Sequence, residues 1–355
     1  MVGMKSFDLS LNFNGYAARR FFGSLDGLRA ISIIAVIWHH TAPTGTPSLL
    51  AHLGGHGVTL FFSISGFLIT TLLLREWRKG GAIDLKAFYL RRTLRIFPLY
   101  YTVILIYVVL VYALERHSAA GQAFFVNLPY FLSYTSNLFV ALDGRTIFYF
   151  AWSLAAEEQF YLIWPAVLLL CRAPARAAWV LVAVAILATV GQVMGAYFAH
   201  KVPVAIVIGS LLAILLDREG TFRLVAAVLG GRWAAPAALV LVVACASSSS
   251  LPPACLHTAL AMFVGACVVR EDHLLSTLLT NRWARYIGEI SYGMYLLHML
   301  CKNLAAKSLG AVGVDPDSAA LFAATVVLTT VLARLSFKHY ESYFLKLKER
   351  YTVDR

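Results

Sequence analysis

Charge is scarce in this chain. Only 14% of its 355 residues are Asp, Glu, Lys or Arg, while 60% are hydrophobic and the mean hydropathy is positive, which excludes an ordinary soluble globular domain. Cysteine is also sparse. The five at positions 171, 245, 255, 267 and 301 have no CxxC or CxxH spacing and lie in or beside apolar segments. They read as small packing groups, not as a zinc or dithiol centre, and no metal is expected. No internal repeat is visible. A cleavable signal peptide is not expected, because the first apolar run has a long polar lead and no small-residue cleavage site. An attached soluble domain is not expected either, since the longest connections run at about 75–95 and 115–149.

What the chain does have is long apolar runs. Stretches of about 17 to 25 residues recur, each long enough to cross a hydrocarbon core of about 30 Å as a helix. Spans are predicted at about 25–42, 57–74, 96–114, 150–170, 178–198, 203–217, 233–250, 254–270, 284–304 and 318–336. The fold class is therefore all-α, a polytopic membrane helix bundle of about ten transmembrane helices. A cytoplasmic segment (1–24) precedes the transmembrane domain (25–337), and a cytoplasmic tail (338–355) follows it. The stretch 123–142 contains Asn127, Pro129 and Asn137 with several hydroxyls, and it reads as an interfacial or re-entrant piece.

Counting Lys and Arg by loop sets the orientation. With the N-terminus inside, 24 of the 30 fall on the inner side and five on the outer side, with Arg334 inside the last span. An even number of spans with both termini cytoplasmic follows. The +12 net charge is then explained by topology, and no nucleic-acid partner is needed.

Ionisable groups inside a span are costly and usually face a cavity or a partner. Five clusters carry them. In LDGLRAISIIAVIWHHT (25–41), Arg29 and His40 are eleven residues apart, so they share a helix face about 16 Å apart along the axis. Asp26 accompanies Arg29 as an interfacial ion pair, and a plain reading lets the histidines snorkel to the outer surface. In GHGVTLFFSISGFLITTLLL (55–74), Ser63, Ser65 and Gly66 suit close helix packing or offer hydroxyls to a cavity. FYLRRTLRIFPLYY (88–101) sets Arg92 and Arg95 on one face, suited to gripping phosphate oxygens or simply to anchoring the inner boundary. AWSLAAEEQFYLIWP (151–165) puts Glu157, Glu158 and Gln159 inside a span. Two adjacent carboxylates cannot both face one partner, so at least one is expected to be protonated or solvated. In EISYGMYLLHML (289–300), Ser291, Tyr295 and His298 line one face.

Taken in order, these motifs resemble the acyltransferase-3 family of integral-membrane O-acyltransferases, over residues 25–298. The resemblance implies transfer of an acyl group, most often acetyl, from cytoplasmic acyl-CoA to a hydroxyl of a carbohydrate or glycolipid acceptor at the outer face. The family histidine and its arginine map onto His40 and Arg29. The family's arginine pair maps onto Arg92 and Arg95, and its acidic residue onto Glu157, with Glu158 beside it. Catalysis is thus expected from His40, Glu157 and Glu158. The arginines are expected to hold acyl-CoA, with Asp26, Ser65, Ser291, Tyr295 and His298 as further candidates. Two departures stand out: Thr59 occupies a position acidic in many members, and HYESYF replaces a Glu-Arg-Pro-like ending. The lack of an esterase-like extension resembles stand-alone members. The alternative class is a transporter or flippase of a lipid-linked or small glycosylated substrate. Against it, no Gly/Pro-broken helices recur in matching halves.

Overall fold

A computed structural model of the chain describes residues 12–140, 146–248 and 250–349, with no account of the side chains at 48–52. Parts of the predicted terminal segments (1–11 and 350–355), Arg145 among the outer basic residues and Ser249 lie outside the described residues. Among the described residues there are helices and turns and no strand.

The helices are α1 (Phe13–Ala18), α2 (Gly23–Thr41), α3 (Ser48–Gly80), α4 (Leu85–Leu114), α5 (Ala119–Leu132), α6 (Ser136–Phe139), α7 (Trp152–Cys171), α8 (Pro174–Val193), α9 (Val204–Leu216), α10 (Glu219–Leu229), α11 (Ala234–Ser247), α12 (Pro253–Val269), α13 (Ser276–Leu279), α14 (Arg282–Ala311), α15 (Ala319–Ser336) and α16 (Ser342–Glu349). Local chemistry marks their ends. The Asp84 carboxylate accepts from the Ala87 N–H at 2.9 Å to open α4, and the Ser118 hydroxyl accepts from Gly121 at 3.0 Å to open α5. Pro174 begins α8, where its missing N–H costs nothing.

Each predicted span falls on a helix. Among the described residues, five helical segments are long and apolar enough to cross a membrane, namely Leu53–Gly80, Leu85–Leu114, Tyr149–Cys171, Pro174–Val193 and Ala319–Glu349. A sixth is reached if α10 and α11, bent by 75°, count as one. The apolar helices α9 and α12 are shorter. Helix α2 has 19 residues and α14 has 30, but both carry the charged and histidine residues singled out above, which lower their hydropathy. The 123–142 stretch resolves, over its described part, into α5 and the four-residue α6, neither long enough to cross.

The chain divides into two compact units, with the division falling inside α3 and α14. Unit 1 comprises Met1–Leu74 with Val204–Ser291, and unit 2 comprises Arg75–Pro203 with Tyr292–Arg355. Unit 1 surrounds Phe22, Phe67, Phe222 and Phe263 and closes through small residues. A Cβ on Gly66 would overlap the Ile206 carbonyl, and one on Gly209 the Ser63 carbonyl. The Ser210 hydroxyl donates to the Gly66 carbonyl at 3.1 Å. In lipid, helices gain nothing from hydrophobic association, so such close backbone approach supplies the packing energy.

Unit 2 is held by aromatic rings. Tyr134 stacks on Tyr100 with centroids 4.3 Å apart, and Phe148 packs on Tyr107 at 4.9 Å. Both Tyr134 (φ 53°) and Phe148 (φ 67°) adopt left-handed backbone, which bulky residues rarely do. Their buried rings hold that conformation in place.

Candidate functional site

In unit 1 the singled-out residues lie on α2. The Arg29 guanidinium donates to Asp26 at 2.8 Å, with both side chains partly buried, so the expected ion pair forms one turn inside the helix. The base of α2 is held tightly, because Gly27 lies against the Leu279 backbone and the Asp26 backbone lies against Gly288. Three turns on, His40 Nδ1 is 2.8 Å from the Val36 carbonyl. A carbonyl can only accept, so Nδ1 carries the hydrogen and the neutral ring keeps its lone pair on Nε2. This is the tautomer a general base needs, with the ring orientation fixed by its own helix. His39 is exposed, and its ring meets that of His40 edge-on at 5.2 Å. The run Gly54, Gly55 and Gly57 lets α3 approach here, since a side chain at 54 would strike the His39 backbone and one at 57 the Ser32 carbonyl. Ser63 is buried, whereas Ser65 is half-buried on a different side of α3. Gly66 performs the packing role expected of that stretch. The Ser291 hydroxyl donates to Gly288 of its own helix at 2.8 Å.

Unit 2 contains a line of polar groups. Ser153, Glu157 and Tyr161 are four residues apart along α7 and share a face. At one end the Ser153 and Tyr295 hydroxyls are 2.6 Å apart, and Tyr295 also donates to the Phe150 carbonyl at 2.9 Å. His298 is fully buried, with Nδ1 2.5 Å from the Tyr295 carbonyl and its ring 5.0 Å from that of Phe150. In the middle, the Tyr161 hydroxyl donates to Glu157 at 2.5 Å. At the other end the Arg92 guanidinium lies over the Tyr161 ring at 5.5 Å and over Phe88 at 5.9 Å. The arginine and the carboxylate are thus joined through one tyrosine.

The neighbouring residues take different parts. Glu158, about 100° around α7 from Glu157, interacts electrostatically with Arg92 and with Tyr100, Tyr101, Tyr134 and Tyr292. Gln159 is a structural lock. It exchanges two hydrogen bonds with Asn137, at 2.9 and 3.1 Å, and donates to the Tyr134 carbonyl at 2.7 Å. On α4, Arg91 forms an ion pair with Glu76 at 2.7 Å, and Arg95 interacts electrostatically with Glu341. Glu341 lies in a π-helical segment, Phe337–Glu341, and accepts from Ser336 at 3.0 Å.

The structure therefore brings together Asp26 with Arg29, Glu157 with Arg92, and Tyr295 with His298. His40 belongs to unit 1 and Glu157 to unit 2. Tyr161 and Ser153 were missed in the sequence, although their spacing of four on either side of Glu157 could have marked them.

These features define an integral membrane protein with polar residues along the inside of apolar helices. Residues 22–335 match the family model described as an acyltransferase domain, and the chain belongs to the acyltransferase-3 family. It is similar to the peptidoglycan O-acetyltransferase OatA of Listeria monocytogenes, with 37% identity over 161 residues, covering 43% of this chain and 25% of OatA. It is also similar to YrhL of Bacillus subtilis, provisionally named a peptidoglycan O-acetyltransferase, with 28% identity over 355 residues, covering 91% of this chain and 54% of YrhL. The matched regions make up about a quarter and about half of these two relatives. No solved structure matches the chain.

Proposed function

We propose that this chain is an O-acyltransferase that moves an acetyl group from cytoplasmic acetyl-CoA to a carbohydrate hydroxyl at the outer face of a bacterial inner membrane. In this reading ten spans cross the bilayer and both termini are cytoplasmic, in keeping with the placement of basic residues. The names of the relatives make a peptidoglycan fragment the first acceptor to try, ahead of other polysaccharides and glycolipids.

The observation that carries the proposal is the polar line Arg92, Tyr161, Glu157, Ser153 and Tyr295 inside apolar helices, together with a histidine whose Nε2 holds the lone pair. Arg92 and Arg95 take the phosphates of the donor. His40 Nε2 accepts the proton of the acceptor hydroxyl. The oxygen then attacks the thioester carbonyl, a C–O bond forms, the C–S bond breaks, and CoA leaves as the thiolate. Glu157, joined to Arg92 through Tyr161, is the acidic residue that the family resemblance adds to the reaction.

General base catalysis contributes roughly 10² to 10⁴ in rate, so His40→Ala should lower turnover by about that factor in a folded, inserted protein. The test incubates the purified chain and His40→Ala with acetyl-CoA and a panel of glycans, following free CoA and acetylated product. Release of CoA that needs both His40 and an acceptor is the expected result. Folded protein with no His40-dependent release would overturn the proposal and favour the transporter class.

A further inference from the structure

Helix α10 has no counterpart among the predicted spans. Its Phe222 and Leu229 are buried in the unit 1 core, with the Phe222 ring edge-on to Phe13 at 5.6 Å and 5.2 Å from Tyr16. Leu224 and Val228, one turn apart on the opposite face, are 71% and 68% exposed. The helix is thus apolar on two faces, and only one is covered by protein. Charged residues occupy a flank between them, where Arg223 pairs with Glu219 at 2.5 Å.

The uncovered face continues onto a surface suited to lipid. Helix α11 leaves α10 at 75°, and its Val240 is 68% exposed, while Trp233 at the corner is 73% exposed. Trp side chains favour the boundary between acyl chains and headgroups. The 14 residues of α11 rise about 21 Å, short of a core of about 30 Å. Straightening α10 onto α11 would lengthen the span, but it would withdraw Phe222 and Leu229 from the core and draw Arg223 and Arg232 toward the acyl chains. Arg218, Arg223 and Arg232 are all exposed and belong to the basic set assigned to the inner side.

We propose that α10 lies in the plane of the cytoplasmic membrane surface, with Leu224 and Val228 among the acyl chains and Arg218, Arg223 and Arg232 on anionic phospholipid headgroups. The pattern is that of an interfacial amphipathic helix, in which buried apolar area and basic residues act together. It is independent of the acyl-transfer reading.

The test uses the full chain in nanodiscs of phosphatidylcholine with or without phosphatidylglycerol. Brominated acyl chains quench Trp233 fluorescence, read as the difference between the wild type and Trp233→Phe. The expected result is strong quenching that weakens when phosphatidylglycerol is omitted or when Arg218, Arg223 and Arg232 are all changed to Gln. A nitroxide at Leu224→Cys, in a background with the five native cysteines replaced, should be reached several-fold better by oxygen than by a water-soluble nickel chelate, with the reverse at Arg223→Cys. Quenching indifferent to brominated lipid, or a Leu224 label open to nickel, would overturn the proposal. A Leu224 label shielded from both reagents only at high protein density would overturn it in favour of a second copy of the chain. The quenching measurement on the native chain decides the matter even if the cysteine-free background does not fold.

Discussion

Gln159→Leu removes a side chain of similar size but leaves three buried groups unpaired: both ends of the Asn137 amide and the Tyr134 carbonyl. Asn137 is 2% exposed, so no water replaces the lost partner. Hydrogen bonds in membrane proteins average about 0.6 kcal/mol, and orphaned buried groups cost about 1–3 kcal/mol each. The three lost bonds set a floor of about 2 kcal/mol, and the three orphaned groups carry the loss to about 3 kcal/mol or more. The loss falls where Tyr134 holds left-handed backbone, so the α5–α6 turn should loosen first. In a thermal scan of detergent-solubilised protein, read by size-exclusion chromatography, the melting temperature should fall by about 4 °C or more. Asn137→Leu alone should cost less, because Gln159 keeps its bond to the Tyr134 carbonyl. The double variant removes both amides together, leaving only the Tyr134 carbonyl unpaired, so it should be more stable than the sum of the singles by about 1–2 kcal/mol. A Gln159→Leu protein that melts with the wild type, or a strictly additive double variant, would refute the reasoning.

Gly66→Ala pushes a methyl into the Ile206 carbonyl and should destabilise unit 1 by about 1–3 kcal/mol, the usual cost of overpacking, read in the same scan. Tyr161→Phe keeps the ring beneath Arg92 and removes the hydrogen bond to Glu157; turnover should drop about tenfold with donor KM kept, whereas Tyr161→Ala should also raise donor KM in acetyl-CoA titrations. His273, between α12 and α13, is 1% exposed with Nε2 3.0 Å from the Ser24 hydroxyl, and burial lowers its pKa below the ordinary 6.5. As pH falls from about 6.5 toward the lowered folded value, the unfolded chain takes up a proton that the folded chain refuses, so stability declines through that window. His273→Gln should flatten the decline, measured as melting temperature against pH; an unchanged slope would count against it.

The helices beneath the predicted spans were legible because they depend on a local property, namely runs of apolar residues. Family membership was legible for a related reason: LDGLRA, RRTLRIFPLYY and WSLAAEEQFYLIWP are contiguous strings whose odd charges stand out against an apolar background. Even the Arg29–Asp26 pair, three residues apart, could be read in advance. Tertiary structure decided the rest. Gln159 could be read only as a polar residue inside a span until folding brought Asn137 to it from 22 residues away. Ser153 meets Tyr295 across 142 residues, a separation at which periodicity carries no information. The His40 tautomer depends on a carbonyl position that only coordinates supply. Helix α10 escaped notice because its 11 residues are too few to look like a span. Its two apolar faces become meaningful only when one is seen against Phe13 and Tyr16 and the other is seen uncovered.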